Sequence, residues 1–140
     1  MNLISILSLT VAALAVFIGP VLSARSTKYS MLGSMRQKWI NDLRALISEI
    51  SSTCLHYFQT GYEDRTEKEY QHITYLEHQI IFMINPNELG HQELVKTIRD
   101  MICALESGKQ GNSKFILSHK QLLKYGRTVL KKEWNTIKNS

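Results

Sequence analysis

The stretch SMRQKWINDLRALISEISSTCLHYF, Ser34 to Phe58, decides the fold. Met35, Trp39, Leu43, Leu46, Ile50 and Cys54 recur at steps of three and four. That is the period of an α-helix with one apolar face, whereas a half-buried strand alternates every second residue. Gln37, Asp42, Arg44 and Glu49 fill most of the remaining surface, and Gly61 follows where a helix ends easily.

Toward the C-terminus the same period returns three times. Thr66 and Glu69 form a capping box, Thr-x-x-Glu, at the start of a helix striped by Ile73, Leu76, Ile80 and Met83. Pro86 ends that helix at Asn85, because the residue before proline disfavours helical geometry. NPNELG is a connecting turn, and the next helix runs from Glu88 to Glu106 on Leu94, Ile98, Met101, Ile102 and Leu105. Residues 107–112 read as a loop. Ser113 caps a last helix that reaches Lys138, striped by Ile116, Leu123, Leu130 and Ile137 and joined by Phe115, Leu122, Val129 and Trp134. Residues 34–140 are therefore expected to form an all-α, four-helix antiparallel bundle.

Residues 1–23 read differently. Leu3 to Leu22, LISILSLTVAALAVFIGPVL, is a run of 20 residues with no charge. At about 1.5 Å per residue it measures roughly 30 Å, the thickness of a bilayer's hydrocarbon core. Ser5, Ser8 and Thr10 can bond back to helix carbonyls in lipid. A cleaved signal peptide ending near Leu22-Ser23-Ala24 is the alternative. Against it stand an n-region of only Met1 and Asn2 and a run longer than the usual h-region of about 7–15 residues. The expectation is a single transmembrane helix, a juxtamembrane segment at 24–33, and then the bundle, whose first helix either follows a break or continues directly. Arg25, Lys28, Arg36, Lys38 and Arg44 against Asp42 alone place the bundle in the cytoplasm and the N-terminus outside a bacterial inner membrane. Ser8, Ala12, Ala15 and Gly19, at steps of four, three and four, give this helix a small-residue face on which a homo-oligomer can pack.

Charge is unevenly spread. Residues 1–59 carry +3, residues 60–108 carry −5 and residues 109–140 carry +7. Cys54 and Cys103 make no Cys-x-x-Cys spacing and are expected to be small buried hydrophobes.

Three constellations could carry chemistry. Glu69-x-x-His72 and Glu88-x-x-His91 are half of a carboxylate di-iron pattern. In a hairpin, however, they would be offset by about 18 Å in height, so neither a metal nor a cofactor is expected. Arg65 and His72 fit the loose Arg-x4–6-His pattern of HEPN ribonucleases, though Glu63 and Asp64 beside Arg65 would oppose a phosphate. Lys120, Lys124, Arg127, Lys131 and Lys138 share one face of the last helix, suited to an anionic partner such as lipid headgroups or nucleic acid, or simply to water. No nucleophile elbow or phosphate-cradling glycine loop is present.

The segment MRQKWINDLRALISEI resembles a loose group of small, single-pass bacterial membrane proteins with an Arg-Gln-x-Trp-Ile-Asn-x-Leu-Arg core. Here that core is Arg36, Gln37, Trp39, Ile40, Asn41, Leu43 and Arg44. Asn85, Pro86 and Glu88 are similar to the same group's Asn-Pro-x-Glu turn. The likeness spans roughly residues 3 to 105 and implies a shape and a location, with no activity. Arg36, Trp39, Asn41 and Arg44 are its interface candidates, since Trp and Arg are common binding anchors. A weaker resemblance, to membrane-anchored HEPN-like accessory proteins of RNA-targeting CRISPR systems, implies assembly in the bilayer and an effector role in phage defence. The expected function is thus a non-enzymatic membrane component that self-associates or binds a protein partner. The alternatives are a tethered ribonuclease using Arg65 and His72, or a tether that binds nucleic acid through the basic helix.

Overall fold

The structure is a computed structural model. It describes residues 3–61 and 64–138, the side chains of 3–15 and 17 excepted. Among the described residues there are four α-helices: α1 (Leu3–Gln59), α2 (Glu67–Met83), α3 (Leu89–Glu106) and α4 (Asn112–Lys138). A 3-10 turn, Gly108–Gly111, leads directly into α4 where a loop and a Ser113 cap were expected. No strand occurs among the described residues, so the all-α class holds.

The chain divides after Arg36 into two compact units. The first is helical throughout its described length. Residues 24–33 are part of α1. Val16, Ile18, Val21 and Leu22 are 49–68% exposed on it. Among the described residues no helix is long and apolar enough to cross a membrane. Most of the Leu3–Leu22 run, and with it Ser8, Ala12 and Ala15 of the small-residue face, lies outside the described side chains.

The second unit is the bundle, built from the later part of α1 with α2, α3 and α4. Its core brings together Leu43, Ile50 and Cys54 of α1, Ile73, Leu76 and Ile80 of α2, Leu94, Ile98 and Met101 of α3, and Phe115, Leu122 and Val129 of α4. Each fully buried aliphatic or aromatic side chain contributes about 1.5–3 kcal/mol of transfer free energy, so this cluster dominates the stability of the unit.

Two stripes are rotated from their expected setting. On α1, Ile40 and Ile47 join the buried line, Met35 is 67% exposed, and Trp39 and Leu46 are half-buried. On α4 the buried line is Phe115, Leu122 and Val129, while Ile116 and Leu123 are exposed and Trp134 is 48% exposed. The small residues Ser118 and Gly126 lie on the buried face of α4. They admit the neighbouring helix, and a Cβ on Gly126 would stand 3.2 Å from Ile47 Cγ2. The 3-10 turn is held equally close to α3: a Cβ on Gly111 would fall 1.9 Å from the carbonyl oxygen of Ala104, so only glycine fits there.

Candidate functional site

The corner between α2 and α3 concentrates the polar contacts of the bundle. α2 ends at Met83, two residues short of the expected Asn85, with Ile84 as an extended C-cap. Asn85 then organises the turn. Its Oδ1 accepts from the Asn87 N–H at 3.0 Å, its carbonyl accepts from the Glu88 N–H at 3.2 Å, and its Nδ2 donates to Glu88 Oε1 at 3.3 Å. Such side-chain-to-backbone bonds let Asn hold a turn that Pro86 forbids from becoming helix. Gln92 Nε2 closes the turn on the Pro86 carbonyl at 2.7 Å.

His91, on the first turn of α3, is only 4% exposed, and its Nδ1 accepts from the Asn85 N–H at 3.1 Å. From α4, Lys132 Nζ donates to Glu88 Oε2 at 2.6 Å. That hydrogen bond holds the Glu88 carboxyl below the usual carboxylate range and raises the Lys132 ammonium above its own. Glu133, 8% exposed, completes the corner: Glu88, His91 and Glu133 have ligand-capable atoms within 4.8 Å of one another.

The spacing suits a cation, but the imidazole argues otherwise. A ring whose Nδ1 accepts a hydrogen bond carries its proton on Nε2 when neutral. Binding an ion would require His91 either to give up Asn85 or to lose that proton. With Glu88 Oε2 already held by Lys132, the cluster reads as a structural network. Sequence reasoning paired Glu88 and His91 with Glu69 and His72 and missed Glu133. The signal was available: Glu133 is the lone acid of residues 109–140 and stands four residues after Val129 on the apolar face.

The other Glu-x-x-His pair is engaged elsewhere. Glu69 closes the capping box on Thr66, as expected, and faces His56 at 3.5 Å. His72 Nε2 contacts Glu49 Oε1 at 3.0 Å on the surface. Arg65 is a strap between helix ends. Its Nε donates to the Tyr57 carbonyl at 2.8 Å, Nη2 to the Phe58 carbonyl and Nη1 to the Leu105 carbonyl, both at 3.4 Å, and its guanidinium lies 4.6 Å from the Tyr57 ring centroid. A cation at the C-terminal ends of α1 and α3 meets the carbonyls of their last turns and the negative ends of their dipoles. The two members of the Arg/His motif thus sit in separate hydrogen-bond networks.

The interface candidates divide by role. Trp39 is half-buried, and its indole N–H donates to the Met83 carbonyl at 2.8 Å. Asn41 accepts at Oδ1 from Gln37 Nε2 at 3.2 Å and from Arg44 Nη1 at 3.1 Å, making an exposed polar ladder along α1. Arg36 and Gly19 lie on the first unit, Arg36 exposed and Gly19 with nothing within 4 Å of a Cβ. Lys120, Lys124, Arg127, Lys131 and Lys138 are all exposed, and none forms an ion pair among the described residues. Cys54 is buried, as expected. Cys103 is exposed, contrary to expectation, because the buried face of α3 follows Met101, Ile102, Ala104 and Leu105 and leaves position 103 outside.

Comparison with family models, with curated proteins and with solved structures finds nothing that matches this chain.

Proposed function

We propose that this chain is a non-enzymatic, single-pass protein of the bacterial inner membrane. In this reading Leu3–Leu22 spans the bilayer and holds the helical bundle in the cytoplasm, and the membrane helix self-associates. The observation that carries it is the uncharged run of 20 residues followed by Arg25, Lys28, Arg36 and Lys38. Burying such a run in lipid is favourable for nearly every side chain in it, and the basic flank resists translocation. Self-association rests on Ser8, Ala12, Ala15 and Gly19, whose small side chains allow two helix backbones to approach.

Flotation of the full chain with liposomes after alkaline carbonate extraction tests the anchor. The expected result is a protein that floats at full mass. A mature chain beginning near Arg25, or a protein left in the soluble fraction, overturns it. Mass measurement in detergent tests assembly. Wild type is expected as an oligomer and Ala12→Leu with Gly19→Leu as a smaller species, and a monomeric wild type refutes self-association.

A further inference from the structure

A groove runs between α1 and α4, lined by the aliphatic Ile47, Leu123 and Leu130 together with Arg44, Ser48, Ser52, His119 and Arg127. Two contacts fix its walls: Gly126 lies against Ile47, and Ser51 Oγ meets His119 Nε2 at 2.9 Å. Arg44 comes three residues before Ile47 and Arg127 one residue after Gly126. Because the two helices run antiparallel, both guanidinium groups lie toward the same end.

Charge sets this groove apart. No carboxylate lines it, whereas Asp100 lines both the α2–α3 groove and the one between α3 and α4. The acids of this stretch of α1 are engaged on other faces, Asp42 by Lys38 and Glu49 by His72. On α4 the exposed Lys120, Lys124 and Lys131 each come one residue after a lining residue, His119, Leu123 and Leu130. From Arg44 to Leu55 the α1 wall measures about 16 Å at about 1.5 Å per residue. The site therefore offers a line of cations beside an aliphatic trough.

We propose that the α1–α4 groove binds single-stranded nucleic acid, with the phosphates along Arg44, Arg127 and the adjacent lysines and unpaired bases on the aliphatic lining residues. A duplex keeps its bases stacked inside and would leave the trough unused. A membrane surface presents its anionic headgroups over a plane and would leave the trough unused as well. With no Phe, Tyr or Trp among the lining residues, phosphate contacts carry the affinity, so binding is sequence-tolerant and steeply salt-dependent. The inference goes beyond the membrane reading and does not depend on it.

The test uses the full chain in a neutral maltoside detergent, with a fluorescent oligothymidylate of about ten nucleotides, a duplex of equal length, and anionic phosphatidylglycerol vesicles. With about four phosphates engaged, the log–log slope of affinity against salt is expected near −3. Arg44→Gln with Arg127→Gln should weaken binding at least tenfold at low salt and halve that slope. Lys68→Gln with Lys96→Gln, which removes the same charge elsewhere, should leave both nearly unchanged. Circular dichroism confirms that each variant is folded. The proposal is overturned if the single strand does not bind at low salt, if the duplex binds as tightly, if the two double variants behave alike, or if the groove variant loses vesicle binding while oligonucleotide binding persists.

Discussion

The indole Nε1–H of Trp39 donates to the backbone carbonyl of Met83 at 2.8 Å, joining α1 to the last turn of α2 across 44 positions of sequence. A carbonyl at the end of a helix has no partner within it, so an indole aimed at that oxygen fixes where α2 stops relative to α1. The Trp39 ring also lies 6.1 Å from the His91 ring, bringing the start of α3 into the same corner.

Trp39→Phe keeps most of the apolar bulk and removes the donor. It is expected to destabilise the bundle by about 1–2 kcal/mol, the usual cost of leaving a part-buried acceptor unpaired. Urea unfolding of the full chain in detergent, followed by circular dichroism, measures this. An unchanged midpoint would show that water replaces the indole at no cost.

Arg65→Lys tests the strap between helix ends. Lysine keeps the charge but not the planar fork that reaches the carbonyls of Tyr57, Phe58 and Leu105 together. A loss of about 1–3 kcal/mol is expected, with Arg65→Ala costing more. His72→Gln should leave stability within about 0.5 kcal/mol, since its contact with Glu49 is on the surface. Equal and small losses for Arg65→Lys and His72→Gln would refute the strap.

Stability should fall at both ends of the pH scale for separate reasons. Hydrogen bonds from Thr66 hold the Glu69 carboxyl below its ordinary 4.5. A folded-state value below the unfolded one contributes stability above pH 4.5 that is lost as pH falls through the folded value. Glu69→Gln should flatten this acid limb, and Thr66→Ala should lower stability at neutral pH by about 0.5–2 kcal/mol through the lost cap. At the other end, the hydrogen bond to Glu106 pushes the Tyr70 hydroxyl from 10.0 to about 12. That contribution is present below pH 10 and is lost between pH 10 and about 12, so Tyr70→Phe should reduce the alkaline slope and leave the part that comes from the buried Cys54 thiol. Thermal melts across pH check both limbs.

The two thiols should separate cleanly. Burial pushes the Cys54 thiol from 9.0 to about 12, whereas Cys103 is exposed. Since the thiolate is the nucleophile, one thiol per folded chain is expected to react rapidly with a chromogenic disulfide at pH 8, and Cys103→Ser should abolish that phase. Cys54 should react only after urea unfolding. Two fast thiols in the folded protein would contradict its burial.

Much of the helical organisation was legible because its causes are local. The Thr66–Glu69 box, the proline at 86 and the stripe of Leu94, Ile98, Met101, Ile102 and Leu105 each act within a few residues, and the structure keeps all three. The candidate site was less legible. Asn85, Glu88 and His91 were visible as a turn and a Glu-x-x-His pair, but their partners Lys132 and Glu133 arrive from another helix. Arg65 looked like half of a catalytic motif because the pattern holds no record of three carbonyls at the ends of α1 and α3.

What the sequence determined by itself is the helical character of each segment and the capped start of α2, since a period of three to four residues and a cap exert their effects within one or two turns of chain. What only the tertiary structure decided is which side of each helix meets the core. On α4, Ile116 and Leu123 are as apolar as their neighbours Phe115 and Leu122, one residue and about 100° around the helix apart. Helical period cannot choose between such adjacent stripes. The choice falls to the surface that lets the helices approach closest, here the one carrying Ser118 and the Gly126 that touches Ile47.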